Sequence, residues 1–335
     1  MSVVLFLAAV GAVLVVGPRM ARVADRLGEV TGMGGGLFGL VFLALATDLP
    51  EVALAPTAVV TGTPGIAVGN LVGSAAVQLT LLAVVDIAVR KGRLYEKLPL
   101  RATLGQCALM LSVVAVPLVA AAGVPALGNV SIATFALPTV YFGVLALVRG
   151  IDAEPPIGEG PSAVDDATED GEHTGGSGDH QRALWTRFAS FAVVLAAAGV
   201  ALESSSEALG SRLGLGETAA GALLASAVTP LPELVTAVAA ARQGALELAV
   251  GDLVGSSALD VMLLSWADVF YSGSIFDLFG RAEIALLGVT LGVTALLVVG
   301  LARGERARQA RISLESYLML AVYGVGVVVM LTAPG

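Results

Sequence analysis

Apolar stretches separated by glycine, proline and clusters of charge run the length of this chain, near 2–17, 33–62, 64–89, 100–121, 127–148, 184–206, 216–242, 245–270, 281–302 and 312–332. A bilayer core of about 30 Å takes about 20 helical residues to cross, so the pattern predicts ten transmembrane helices. Four stretches, the second, third, seventh and eighth, carry polar residues at bilayer depth, and they do so twice over. ATDLPE (Ala46 to Glu51) and AVGNLVGSAAVQ (Ala67 to Gln78) return as VTPLPE (Val228 to Glu233) and AVGDLVGSSALD (Ala249 to Asp260). The offset is 182 residues without a gap, and Thr47–Asp86 shares 18 of 40 residues with Thr229–Asp268. A carboxylate at bilayer depth costs about 2.5–3.5 kcal/mol on insertion scales, so a duplicated one points to function.

Between the fifth and sixth stretches lies Ile151 to Gln181, rich in Gly, Pro, Ser and acid and nearly free of large apolar side chains. Such a segment cannot bury enough surface to fold alone, and it reads as an unstructured linker over 151–182. It divides the chain into halves of five spans each, 1–150 and 183–335. An odd number of spans turns the second copy upside down, so the repeat is inverted, an arrangement that forms a substrate site at the midplane.

Composition agrees with this picture. The chain is 56% hydrophobic and 13% charged, with a mean hydropathy of +0.89, which leaves too little polar surface for a soluble globule of 335 residues. Of 18 basic residues, 16 fall in loops after odd-numbered spans, and only Arg212 and Arg281 fall on the other side. That asymmetry places the odd loops and the linker in the cytoplasm and both termini outside. Before Arg19 there is no Lys or Arg, which argues for an uncleaved first span. Net charge is −9, and nine acids between Asp152 and Asp179 account for it. The single Cys107 excludes an intrachain disulfide and reads as a small buried residue; His173 and His180 fall in the linker and read as solvated. Two further segments, Val23 to Glu29 and Ala208 to Glu217, read as interfacial connectors preceding the polar helices.

The motifs have a shared chemistry. Proline at mid-span removes an amide donor and frees the carbonyl four residues earlier, so Pro50 releases that of Ala46, Pro232 that of Val228 and Pro230 that of Ser226. Each broken helix then offers carbonyls beside a glutamate, Glu51 or Glu233, the ligand set of a hard cation. In the following helices Asn70, Ser74 and Gln78 stand at i, i+4 and i+8 on one face, and Asp252, Ser256 and Asp260 repeat the stripe. Eight residues further on, Asp86 and Asp268 read as solvated carboxylates near helix ends. Gly69, Gly73, Gly251 and Gly255 are spaced to admit a neighbouring backbone. Glu203 and Glu207 read as an exposed helix end.

The paired motifs resemble the two alpha-repeats of the cation/calcium antiporter superfamily, in its sodium/calcium exchanger branch, with GTSxPE followed by GNxxGSNxxN in each repeat. The resemblance implies an all-α polytopic fold of ten transmembrane helices in two inverted five-helix repeats, with alpha-repeats at 39–86 and 221–268. It implies that Glu51 and Glu233 are the central ion-binding glutamates and that Thr47 and Thr229 face the ions through their carbonyls. Ser74 and Ser256 match the serines after the glycine, and Gln78 and Asp260 take the positions that complete the site. The chain departs from the pattern at Asp48 and Pro230, each in place of serine, and at Ala75, Ser257, Asp252 and Gln78, each in place of asparagine. Asp48 and Asp252 add carboxylates, which suit a divalent ion and equally suit a proton.

The function expected is secondary active exchange of Ca²⁺ for Na⁺ by alternating access, with proton-coupled cation exchange as the alternative and a passive cation channel behind it. The partners expected are inorganic cations and the bilayer, with no nucleic acid, no enzyme activity and no cofactor beyond the transported Ca²⁺ and Na⁺ or H⁺. No nucleotide-binding glycine fingerprint occurs, and no GxGD or HExxH pattern suggests an intramembrane hydrolase. The membrane expected is the plasma membrane. At some thirty residues, the linker is too short for a folded calcium-sensing domain.

Overall fold

The first predicted span proves much longer than its apolar run. In the computed structural model, which describes residues 2–89, 94–123, 126–127, 130–152, 177–212, 228–303 and 313–332, helix α1 (Ser2–Thr31) passes through Pro18 without stopping. The turn around the proline gains partners from side chains: the Arg19 guanidinium donates to the Val15 carbonyl, and Gln243 Nε2 donates to the Pro18 carbonyl at 3.3 Å. Beyond it, Met20, Ala21, Ala24 and Leu27 form a buried stripe at helical spacing. Val23 to Glu29 is therefore helix rather than connector. The helix ends where Gly32 and Gly34 take φ of 68° and 73°, a region that side-chain-bearing residues rarely enter.

Helices occupy the remaining predicted stretches. The second is broken into α2 (Gly34–Thr47) and α3 (Leu49–Val60), bent by 49°. After it come α4 (Pro64–Ala88), α5 (Leu100–Ala121) and α6 (Ile132–Asp152). In the second half these are followed by α7 (Ser177–Arg212), α8 (Leu231–Gln243), α9 (Leu246–Asp268), α10 (Arg281–Arg303) and α11 (Leu314–Thr332). A minimal hairpin, β1 (Ala126–Leu127) with β2 (Val130–Ser131), precedes α6 as a small exception to the all-α expectation. The first part of the predicted 216–242 span, the connector beyond Arg212 and most of the linker, His173 included, lie outside the described residues. The linker is shorter than expected, because α7 starts at Ser177. Asp179 sits in its first turn, where the helix dipole favours an acid, and pairs with Arg182 at 3.8 Å.

Among the described residues, seven helices are long and apolar enough to cross a membrane, and the bent pair α2 and α3 makes an eighth. The apolar part of α11 is shorter, Leu314–Met330. Burial is graded from the centre outward. The apolar window of α9 is 94% buried and that of α4 72%, against 22% for α1 and 28% for α6. The two motif helices thus pack on each other at the centre, while Val4, Leu7, Phe135, Phe142 and Val193 on the periphery remain exposed. A surface of that kind belongs in lipid, not water. Helices α1 and α7 pack lengthwise against one another and rest on α2, α3 and α8.

Candidate cation site between the two repeats

The first broken helix owes its shape to two local features. Gly39–Leu43 forms a π turn inside α2, a distortion often found at functional sites. At its start, a Cβ on Gly39 would come within 2.5 Å of the Leu248 carbonyl oxygen and 2.9 Å of the Asp252 amide, so α2 touches α9 backbone to backbone. The reverse contacts fall on Gly251, against Gly36 and Leu40, and on Gly255, against Leu40. The expected close approach is therefore made by the second glycine pair. Gly73 is buried, and Gly69 meets no described atom within 4 Å.

The second feature is the break itself. Asp48, with φ −85° and ψ 6°, leaves the helical region between α2 and α3, and Pro50 in the first turn of α3 has no amide to offer Ala46. Thr47, Asp48 and Glu51 are carried into the protein at this joint, all fully or almost fully buried. The second copy does the same at the start of α8, where Pro230 precedes the helix and Thr229 and Glu233 are buried. The residue whose carbonyl Pro230 would free, Ser226, lies outside the described residues.

The walls come from α4 and α9, as their spacing suggested. Ser74 and Gln78 from α4 and Asp252, Ser256 and Asp260 from α9 are all fully buried, whereas Asn70 is only half-buried. Thr47 Oγ1 lies 3.4 Å from Ser256 Oγ, joining the first broken helix to the second wall. The charges of Asp260, Glu233 and Glu51 all act on Asp48, and those of Glu233 and Asp260 act on Glu51. Gln78 neighbours Asp260, and Glu233 neighbours Asp252. The predicted carboxylates Asp48, Glu51, Glu233, Asp252 and Asp260, with Thr47, Gln78 and Ser256, are thus one electrostatic group drawn from both halves.

Hydrogen-bond accounting gives this group its character. Both carboxylate oxygens of Asp48, Glu233 and Asp260, Glu51 Oε2, Asp252 Oδ1, Ser74 Oγ and both amide atoms of Gln78 are buried without a hydrogen-bond partner. Leaving a buried polar group unsatisfied costs about 1–3 kcal/mol, and more when it is charged. Short of sharing protons among themselves, so many carboxylate oxygens call for a further partner, and a cation is one that suits them. The set is oxygen-rich and acidic, the donor chemistry of hard cations. Among the described residues no three Asp, Glu, His or Cys side chains converge as a ready-made metal cage. A cation there would draw on hydroxyl, amide and carbonyl oxygens as well as carboxylates.

The sequence profile described as sodium/calcium exchanger protein matches residues 1–150 and 183–332. The chain belongs to that family. It is therefore an integral membrane protein of a transporter family, with the two matched segments flanking the acidic linker. A curated relative, the sodium/calcium exchanger MaX1 of Methanosarcina acetivorans, is 33% identical over 96 residues, 28% of this chain. The match spans about a quarter (26%) of that relative's length. Among solved structures, the sodium-calcium exchanger NCX_Mj soaked with 10 mM Na⁺ and no Ca²⁺ superposes with a TM-score of 0.71 at 17% identity, over 98% of both chains. The same protein soaked with 100 mM Na⁺ and 10 mM Sr²⁺ gives 0.70 at 17% identity, over 100% of this chain and 99% of that one. At that identity the likeness is one of fold.

Three features escaped the sequence reading. Thr236, one helical turn after Glu233, donates to Asp252 Oδ2 at 2.8 Å and so ties α8 to α9. Its place three residues beyond a motif glutamate was the available signal. Glu203 is half-buried rather than an exposed helix end, and its charge reaches Glu51 from α7. Asp86 and Asp268 are buried rather than solvated, at 0% and 1% exposure, and bond to residues that enter α11 and α6.

Proposed function

We propose that this protein is a secondary active antiporter, not an enzyme, that exchanges Ca²⁺ for Na⁺ by alternating access. The observation that carries the reading is the group of buried, unpartnered oxygens contributed by both repeats. Glu51 and Glu233 ligate whichever ion is bound, helped by the carbonyls of Thr47 and Thr229. Gln78 and Asp260 complete the positions, Ser74 and Ser256 line those for sodium, and Asp48, Asp252 and Asn70 add polar walls. The chain crosses the bilayer ten times as two inverted five-helix halves, with both termini outside and the acidic linker in the cytoplasm, and it resides in the plasma membrane. Helices α1 and α7, which carry none of the motif residues, shift against the remainder and open the site to either side. Family membership and the likeness to NCX_Mj, which bears the name sodium-calcium exchanger, support this reading.

A second reading is favoured by a specific feature. Asp48 and Asp252, at positions where the family pattern has neutral residues, are both fully buried, and a crowded set of buried carboxylates can hold a proton in place of a metal ion. Proton-coupled exchange would use the same residues. ⁴⁵Ca²⁺ uptake into proteoliposomes, driven by an outward Na⁺ gradient at fixed pH or by an outward proton gradient without Na⁺, separates the two. Uptake with Na⁺ alone supports the first reading, uptake with protons alone replaces it by the second, and uptake with neither refutes both.

A further inference from the structure

The 182-residue offset that relates the cation motifs extends to a second set of buried contacts, made at the ends of the motif helices. Asp86, at the end of α4, accepts hydrogen bonds on one oxygen from the Ser313 amide (3.1 Å), Ser313 Oγ (2.7 Å) and Ser316 Oγ (2.8 Å). These residues begin α11. Asp268, at the end of α9, accepts from Thr134 Oγ1 in the first turn of α6 and from the Ile275 amide at 2.5 Å. Asp86 and Asp268 are related by the offset, and so are Ser316 and Thr134, and Ser313 and Ser131. Ser131 departs from its counterpart: its Oγ accepts from the Ala133 amide at 3.2 Å at the start of α6. Each aspartate, though at the end of its own helix, also meets the start of another, α11 or α6, where the dipole favours negative charge.

The Asp86 bonds to Ser313 and Ser316 and the Asp268 bond from Thr134 cross between the halves. Helix α4 belongs to the first repeat and α11 to the second, whereas α9 belongs to the second and α6 to the first. We infer that Asp86 and Asp268 are positioning residues, a reciprocal pair of carboxylate pins that fasten the motif helix of each half to the fifth helix of the other. The pins then hold the two halves together around the cation site while α1 and α7 shift as proposed above. This rests on the alternating-access reading and adds to it which contacts fasten the halves. The contacts of α1 and α7 with the remainder are largely apolar, the Gln243 bond to the Pro18 carbonyl and the Glu203 charge that reaches Glu51 apart. Phe38 and Phe42 of α2 meet Trp185 and Phe188 of α7 as a ring cluster. A Cβ on Gly199 would strike Pro50, and one on Gly17 would lie 2.8 Å from Val235 Cγ1. Apolar surfaces of this kind slide more readily than a buried carboxylate gives up its donors.

Paired cysteines test the inference in a Cys107→Ala background: Asp86→Cys with Ser316→Cys, Asp268→Cys with Thr134→Cys, and, across α1 and α8, Gly17→Cys with Val235→Cys. In proteoliposomes the rate of disulfide formation is expected to be the same for both pin pairs in Na⁺, in Ca²⁺ and in neither, and to vary with the ion for the Gly17 and Val235 pair. Oxidised pin pairs are expected to keep the ⁴⁵Ca²⁺ uptake of the reduced protein, and the oxidised α1 and α8 pair to lose it until reductant is added. A pin pair whose disulfide rate depends on the ion, that never oxidises while the Gly17 and Val235 pair does, or whose oxidation stops transport, overturns the inference. The disulfide rates report on the pins without reference to transport, so absence of uptake in the Cys107→Ala parent would count against the exchange reading alone. Asp86→Asn and Asp268→Asn supply a milder check. Each is expected to lower the maximal uptake rate and leave the half-saturating Ca²⁺ concentration unchanged; a shift in that concentration with the rate preserved would instead make the residue part of the cation site.

Discussion

Gly255→Ala is a demanding perturbation because it adds a single methyl group and touches no ligand. At Gly255 the added carbon would lie 2.8 Å from both the carbonyl carbon and Cα of Leu40, and closer still to the Leu40 oxygen. Ordinary contact begins at about 3.5 Å. All three neighbours are backbone, so no side-chain rotation relieves the clash, and α2 must move from α9 by the better part of an ångström. Overpacking of this kind costs about 1–3 kcal/mol. The displacement falls one residue from Ser256, whose hydroxyl lies 3.4 Å from that of Thr47, so the cation site opens along the same seam. The expected outcome is a lower melting temperature in detergent together with a fall in ⁴⁵Ca²⁺ uptake larger than the loss of folded protein explains. Gly143→Ala, on α6 with nothing within 4 Å of its added carbon, should change neither. Parental stability and uptake in Gly255→Ala would show that the close approach of α2 and α9 does not shape the site.

Other outcomes follow from single contacts. Thr236→Val removes the hydroxyl that bonds Asp252 Oδ2 at 2.8 Å and should lower stability by about 1–3 kcal/mol; pairing it with Asp252→Asn should recover part of that loss, as read by thermal melting. Glu203→Gln removes a charge that reaches Glu51 from α7. It should shift the Ca²⁺ concentration for half-maximal uptake by roughly 5- to 10-fold, the lower range of coupling between sites, without abolishing transport.

Much of the fold could be read from the sequence because membrane helices announce themselves by composition. The repeat then singled out Glu51 and Glu233, and the structure buries both within apolar surroundings. What the sequence concealed depends on tertiary partners. Pro18 looked like a stop, yet Arg19 and Gln243 supply hydrogen bonds to the turn around it. Asp86 and Asp268 looked solvated because they end their helices, but the segments entering α11 and α6 fold over them with their own donors. The π turn at Gly39–Leu43 has no signature beyond a run of glycines, and Glu203 meets Glu51 only because α7 packs on α3. Each of these is settled by a neighbour distant in the chain.

The central claim is that the buried, unpartnered oxygens of the two repeats are one cation site. Equilibrium binding of ⁴⁵Ca²⁺ to the purified protein tests it most directly, with Na⁺ as competitor and with Glu51→Gln and Glu233→Gln in parallel. The account requires saturable binding that Na⁺ displaces and that each substitution weakens by about 100-fold or more, beyond the 10- to 100-fold that even outer-shell partners of a metal site command. Binding that survives unchanged in both variants would place the site elsewhere and contradict the account.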